Sequence, residues 1–191
     1  MKLHLEQSAA QPPEGCEEIF RNSAIYERYF KGEGRLENSL RRAAERGELY
    51  LARTEEGQLA GAMRVVMGGF CGLYPYLSLI GVRDTFRDKG VGSFLMDQLE
   101  ELARRNGSRR VSLMVSDFNT GAQAFYRRRG YWLLGELPNA AKAGITELAM
   151  LKDWDKQKNA RTAKSAVRAF LFHRYRRRSS SRVSWMTDLG K

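Results

Sequence analysis

The chain has 191 residues, of which 42% are hydrophobic, and this balance is typical of one globular domain with a short appendage. Two cysteines without paired spacing and two histidines near opposite ends give no disulfide framework and no cluster with metal-ligand spacing, so no bound metal is expected. The formal net charge is +11, but residues 161–191 contain 9 Lys and Arg against 1 Asp, so most of the basicity belongs to the C-terminal end.

The first part of the chain predicts helices followed by a hairpin. Residues 3–7 suit a short strand, and the charged, helix-favouring stretch 14–46 contains a glycine break that favours two or three short helices. Residues 48–53 and 59–67 indicate two strands that are joined by a turn.

The uncharged stretch 65–82 approaches the length of a membrane span. Four glycines and Pro75 interrupt it, so we interpret it as two strands with a turn rather than as a transmembrane helix. No secretory signal is visible near the amino terminus. We therefore expect a soluble, cytoplasmic protein without integral membrane association.

The second part of the chain alternates strands and helices. The predicted elements are a buried strand at 76–82, a helix at 89–106, a strand at 111–115, a helix at 120–129, and closing strands at 131–134 and 145–151. A strand–helix–strand unit makes its two strands parallel neighbours through a right-handed crossover. The sequence thus predicts an α/β (α+β) fold with a mixed, mostly antiparallel sheet and flanking helices.

The C-terminal end predicts a separate basic extension. We place a single domain at 1–152 and an extension at 153–191, with a short basic helix and a flexible tail. Residues 161–191 are the segment suited to contact nucleic acid, an anionic membrane surface or an acidic partner.

A glycine-containing loop, Arg87-Asp-Lys-Gly-Val-Gly92, joins the buried strand to the amphipathic helix. The start of a helix leaves backbone N–H groups unpaired and carries partial positive charge. Glycines at 90 and 92 permit close approach of a phosphate, and Arg87 and Lys89 add positive charge. The loop therefore favours a phosphate-bearing ligand.

Three interpretations of this loop compete. A dinucleotide-binding fingerprint requires a third glycine where the chain has Leu95, and a Walker loop requires Gly-Lys-Ser/Thr, whereas Lys89 precedes Gly90. The third interpretation is a tight strand-to-helix turn whose glycines have no ligand.

Two segments together resemble a known family. Leu79-Ile-Gly-Val82 followed by Arg87-x-x-Gly90-x-Gly92 resembles the acetyl-CoA pyrophosphate motif of the GNAT acyltransferase superfamily. Asn119-Thr-Gly-Ala-Gln-Ala-Phe-Tyr-Arg-Arg-Arg-Gly-Tyr131 resembles the second motif of that family, Asn-x-x-Ala-x-x-Phe-Tyr-x-x-x-Gly-Phe/Tyr. Both motifs stand in the expected order on the expected elements.

The resemblance implies acetyl-CoA as the cosubstrate. Backbone groups of Ile80 and Val82 would face its pantetheine and thioester where the two parallel strands splay apart, and Asn119 and Phe125 would line it from the next helix. The loop residues that the resemblance assigns to the pyrophosphate are Arg87, Asp88, Lys89, Gly90, Val91, Gly92 and Ser93.

The resemblance also implies the catalytic groups. Tyr126 is the predicted general acid for the departing thiolate, although a tyrosine on this helical face also suits a packed core. The strand at 111–115 lacks the carboxylate that many family members carry there. Asp117 is the nearest candidate base and Glu147 the second, while Asp117 equally suits a cap or a turn.

The predicted function is transfer of an acetyl group to a primary amine of a small molecule, peptide or protein, by direct attack in a ternary complex. Residues 1–60 contain 9 Lys and Arg against 11 Asp and Glu, and the resemblance implies that this half supplies one wall of the acceptor site. We therefore hypothesise a cationic acceptor, with Tyr74 and Tyr76 as candidate aromatic contacts; ordinary surface acids are the competing interpretation. The alternatives are a non-catalytic acetyl-CoA sensor or interaction module and an RNA- or ribosome-associated acetyltransferase. Either a monomer or a homodimer is expected.

Overall fold

The computed structural model describes residues 1–154. The predicted extension 153–191 therefore lies outside the described residues apart from Asp153 and Trp154. The strands are β1 (Leu3–Gln7), β2 (Leu49–Thr54), β3 (Leu59–Phe70), β4 (Tyr74–Val82), β5 (Arg110–Ser116), β6 (Trp132–Pro138) and β7 (Thr146–Asp153). The α-helices are α1 (Glu18–Arg21), α2 (Arg35–Glu45), α3 (Val91–Arg105) and α4 (Thr120–Arg128), with a π-helical turn at Tyr26–Phe30 and a 3₁₀ turn at Asp84–Phe86.

One seven-stranded sheet organises the domain. The strand order is β1-β2-β3-β4-β5-β7-β6, in which β4 and β5 are parallel and the other neighbouring pairs are antiparallel. This arrangement confirms the predicted mixed sheet with one parallel pair and flanking helices. No helix within residues 1–154 combines the length and the apolar composition that crossing a membrane requires.

Helices cover both faces of the sheet. On one face, α3 buries Val91, Leu95 and Leu99, which recur at helical spacing and join a core that includes Leu113 of β5. On the other face, α1, the π-helical turn and α2 pack on β2 and β3, with Leu36 and the side chains around it fully buried. The sheet thus separates the cluster under α3 from the cluster under α1 and α2, and a third, smaller cluster surrounds Phe70 and Ala149.

The hairpin of β3 and β4 is longer than the sequence predicts. We expected strands at 59–67 and 76–82, whereas β3 continues to Phe70, which pairs with Tyr74. Gly68 has a φ of 68° and the register shifts between Val66 and Phe70, so pairing resumes beyond an irregular stretch.

A β-bulge in β4 opens the centre of the sheet. Arg64 of β3 lies opposite Leu79 and Val65 lies opposite Leu77, so Ser78 is the extra residue. The parallel pairing of β4 with β5 is confined to Tyr76 with Ser112 and Leu77 with Leu113. Beyond the bulge the two strands separate, which leaves the β5-facing backbone groups of β4 free for a ligand.

A buried charge network fixes α3 to β7. Glu100 of α3 is 5% exposed, and Lys152 Nζ donates to both of its carboxylate oxygens at 2.7 Å. Arg129, just after α4, lies 3.6 Å from the same carboxylate. The network therefore connects α3, β7 and the end of α4.

We predict that Lys152→Met lowers the free energy of unfolding by about 3 kcal/mol, measured by urea denaturation. Removing one partner leaves the other charge buried without its closest cation, which typically costs about 3–5 kcal/mol. Arg129 remains near Glu100, so the lower end of that range is expected. The control is Lys31→Met, which breaks an exposed pair with Glu27 and should change stability by less than about 1 kcal/mol. Equal effects of the two substitutions would contradict the prediction.

Candidate active site

The predicted phosphate loop lies at the start of α3. The 3₁₀ turn is followed by Asp88 at φ 58° and by Gly90 at φ 85°, which occupies the position before the first helical residue. The first turn of α3 contains no acidic residue. Its unpaired backbone N–H groups, together with the helix dipole, form an electropositive site suited to an anion.

Gly92 brings three predicted cofactor residues together. A β-carbon added at Gly92 would lie 3.8 Å from Val82 Cγ2 and 3.9 Å from Phe125 Cζ. Gly90 differs, since no heavy atom lies within 4 Å of an added β-carbon and its requirement is the left-handed backbone conformation. The end of β4, the start of α3 and the middle of α4 therefore border one space.

The cationic side chains of the loop have partners within the protein. Arg87 forms an ion pair with Asp84 at 2.5 Å and donates to the carbonyl oxygen of Asn22 at 2.8 Å. The Lys89 Nζ lies 5.7 Å from the centre of the Phe86 ring. Arg87 thus also connects the loop to Asn22, the residue that follows α1.

Asn119 begins α4 as its N-cap. Its Oδ1 accepts a hydrogen bond from the backbone N of Ala122 at 3.3 Å. Gln123 donates to the carbonyl oxygens of Ser116 and Asp117 at 3.1 and 2.9 Å, which joins α4 to the end of β5. These contacts give Asn119 a structural role, while its contact with the cofactor stays a prediction.

Tyr126 points from α4 into the core cluster beside the separated strands. It is 6% exposed, and its ring centre lies 5.6 Å from that of Phe125 and 6.0 Å from that of Tyr131. Burial raises the pKa of Tyr126, and the neighbouring Tyr76 raises it further. Within residues 1–154 the Tyr126 hydroxyl has no hydrogen-bond partner. The Tyr131 hydroxyl is fully buried, whereas that of Tyr126 is not.

A second group of polar side chains lies on the opposite face of the sheet. Ser116 of β5 and Glu147 of β7 are paired across the two strands, and Ser116 Oγ donates to Glu147 Oε1 at 2.9 Å. The hydroxyl of Tyr29, from the π-helical turn, donates to the same oxygen and lies 3.0 Å from Ser116 Oγ. Burial, followed by the hydrogen bond to Glu147, raises the pKa of Tyr29 to about 12.

Tyr76 connects the two groups electrostatically. Burial raises its pKa to about 12, with a further contribution from the Glu147 carboxylate and an opposing one from Arg64. Tyr76 also raises the pKa of Tyr126. Tyr76 therefore lies within electrostatic range of both the Glu147 carboxylate and the Tyr126 phenol.

Asp117, the predicted base, lies at the corner between β5 and β7. Its Oδ2 accepts from the backbone N of Thr146 at 3.0 Å, and its own backbone N donates to the Thr146 carbonyl oxygen at 2.9 Å. One carboxylate oxygen is therefore committed to joining the two strands, as the capping or turn alternative implies.

Sequence reasoning missed Tyr29, Ser116 and the bulge at Ser78. Tyr29 stands in a charged helical stretch, and nothing in its local pattern indicates contact with β7. The bulge follows from the register between two strands, which the sequence of β4 alone does not specify.

Comparisons with known proteins agree with these features. A family model described as Acetyltransferase (GNAT) family matches residues 14–131. The uncharacterized protein YdhI of Bacillus subtilis is 29% identical over 93 residues, which cover 49% of this chain and 55% of the relative. The chain thus spans about half the length of that relative.

Solved structures show the same fold. A nourseothricin acetyltransferase is 30% identical, with a TM-score of 0.50, over 55% of this chain and 64% of that protein. An aminoglycoside 6'-N-acetyltransferase complexed with coenzyme A is 16% identical, with a TM-score of 0.61, over 82% of this chain and 99% of that protein. The family model covers more than half of the chain, and the sheet has the splayed parallel pair that the two motifs imply. The chain belongs to the GNAT acetyltransferase family.

Proposed function

We propose that the protein transfers an acetyl group from acetyl-CoA to a primary amine by direct attack in a ternary complex. The observation that carries the proposal is the convergence of β4, the start of α3 and Phe125 of α4 on one space, with the Tyr126 ring 5.6 Å from that of Phe125. The solved aminoglycoside acetyltransferase of this fold was crystallised with coenzyme A, which supports acetyl-CoA as the cosubstrate.

The cofactor residues are proposed as follows. The backbone N–H groups of residues 88–93 bind the pyrophosphate at the start of α3, and Arg87 adds positive charge nearby. Ile80 and Val82 offer backbone groups to the pantetheine where β4 has separated from β5. Asn119 and Phe125 line the cofactor from α4, and the short distance from Gly92 to Phe125 supports this placement.

The proposed reaction has four steps. The nitrogen of the uncharged amine attacks the thioester carbon, and an oxyanion forms. The carbon–sulfur bond then breaks, and Tyr126 is proposed to donate its proton to the departing sulfur. The proton lost by the nitrogen passes to a base; Asp117 stays the predicted base, with its hydrogen bond to the Thr146 backbone competing with that role.

A screen of amines tests this function. The full chain is incubated with acetyl-CoA and with lysine, 1,5-diaminopentane, an aminoglycoside and peptides that carry a free amino group. We expect mass spectrometry to detect at least one acetylated product, with release of an equal amount of coenzyme A thiol. Binding of acetyl-CoA without transfer to any of these amines would favour the non-catalytic sensor instead.

A further inference from the structure

Two carboxylates are buried in the part of the chain that the structure describes, and their surroundings differ. Glu100 is 5% exposed and Glu147 is 6% exposed. Lys152 and Arg129 neutralise Glu100 from within the protein. A buried carboxylate without a cation is costly, so the surroundings of Glu147 need a separate explanation.

Glu147 has hydroxyl partners but no ion pair with any side chain of residues 1–154. Tyr29 and Ser116 both donate to Oε1. No hydrogen bond within the described residues involves Oε2, and this atom is not one of the fully buried polar atoms that lack a partner. One oxygen is therefore fixed by two donors, whereas the other has no donor within residues 1–154 and is not fully buried.

The position of this carboxylate suits the acceptor rather than the cofactor. Glu147 shares a sheet face with Met114 and Ala149, whereas Tyr126 packs with α3 on the opposite face. Glu147 nevertheless lies close enough to Tyr76, at the separated strands, to raise the pKa of that phenol. A group bound to Oε2 would thus lie on the side of the sheet opposite α3 and α4, toward the separated strands that are proposed to hold the thioester.

We propose that Glu147 binds the ammonium group of the acceptor, and that Tyr29 and Ser116 position its carboxylate for this role. The class of acceptor is an alkylamine that arrives as a cation, so the substrate supplies the cation that Glu147 lacks among residues 1–154. The bound ammonium group releases one proton to solvent before its nitrogen attacks as the uncharged amine. The partly buried phenol of Tyr29 keeps its proton at neutral pH and so remains a donor to Oε1. This inference rests on the proposed function, because it assigns the acceptor half of the same site.

Ligand-observed NMR on the full chain, saturated with coenzyme A, tests the proposal with n-butylammonium and with butan-1-ol as its neutral counterpart. We expect the wild type to bind the cation at least ten-fold more tightly than the alcohol. Glu147→Gln keeps the shape of the side chain and both hydroxyl contacts, and it should weaken binding of the cation at least ten-fold. Glu136→Gln, at an exposed acid of β6, should leave it unchanged.

Several results would overturn the inference. Equal binding of the cation and the alcohol by the wild type would do so, and that measurement does not depend on any variant folding. Equal affinity of the wild type and Glu147→Gln for n-butylammonium would also do so, as would loss of binding in Asp117→Asn but not in Glu147→Gln. Calorimetric titration of acetyl-CoA separates the two proposals, because failure of that titration removes the proposed function, whereas success without cation binding removes only the role of Glu147.

Discussion

Replacing Gly92 with leucine should weaken acetyl-CoA binding by about 100-fold or more, which corresponds to about 2.8 kcal/mol of binding free energy. A side chain at this position would extend between Val82 and Phe125, which already lie within 4 Å of an added β-carbon. It would fill the space next to the amide groups at the start of α3, where the phosphates need bare backbone. Isothermal titration with acetyl-CoA measures the loss.

The fold should tolerate the same substitution. Gly92 has an ordinary helical backbone, and leucine favours a helix over glycine by up to about 1 kcal/mol, so the melting temperature should not fall. Gly135→Leu is the control, since a β-carbon there meets no heavy atom within 4 Å and the residue lies on β6. Unchanged acetyl-CoA affinity in Gly92→Leu would contradict the assignment of the loop to phosphate binding.

Gly90→Val should also abolish tight binding, but for a different reason. The φ of 85° at Gly90 is strained for a β-branched residue, so the turn that presents the N–H groups of α3 would change shape. This variant should lose stability as well as affinity. Comparing Gly92→Leu with Gly90→Val separates the need for space at the loop from the need for a left-handed backbone. Acetyl-CoA affinity retained in both variants would contradict a role of the loop in phosphate binding.

The sequence predicted features whose signals are local. The apolar spacing in α3 and the loop from Arg87 to Gly92 lie within one short segment, and the structure places that loop at the helix start as expected. The strand–helix–strand order predicted the parallel pair of β4 and β5. These features depend on near neighbours in the chain, so periodicity and turn chemistry were sufficient.

The features that the sequence did not predict are non-local. The hydrogen bond from Tyr29 to Glu147 joins residues 118 positions apart, and the bulge at Ser78 depends on how β4 aligns with β3. The contacts of Asp117 with Thr146 arise only once β5 and β7 pair. The loop at the start of α3 and the parallel pair were therefore predictable from local patterns, whereas the contacts around Glu147 and Asp117 needed the assembled sheet.

Tyr126→Phe should reduce the rate of the chemical step by about 10²–10⁴-fold, the usual cost of removing a general acid. The substitution keeps the ring and its contacts with Phe125 and Tyr131 and removes only the hydroxyl. Acetyl-CoA affinity and melting temperature should therefore stay almost unchanged. Single-turnover measurement is required, because slow product release would hide the change in steady-state turnover.

The energetics permit this role. An ordinary phenol has a pKa near 10 and an ordinary thiol near 8.5, so the proton transfer is uphill by about 1.5 units, or roughly 2 kcal/mol. Burial raises the pKa of Tyr126 and so makes the phenol a weaker acid. If the cofactor sulfur binds beside Tyr126 as proposed, the same desolvation disfavours its thiolate and raises the pKa of the departing thiol, which offsets that change. The phenol also stays protonated at neutral pH, as a general acid must.

Tyr131→Phe provides a matched control for this prediction. Tyr131 is also buried, its ring lies 6.0 Å from that of Tyr126, and burial raises its pKa too. The Tyr131 hydroxyl is fully buried and has no hydrogen-bond partner within residues 1–154. Removing this hydroxyl should therefore leave the single-turnover rate unchanged. A full single-turnover rate in Tyr126→Phe would reduce Tyr126 to a core aromatic and leave the sulfur to be protonated by water. Equal losses in the two variants would instead indicate a packing effect, because general acid catalysis predicts a loss for Tyr126 alone.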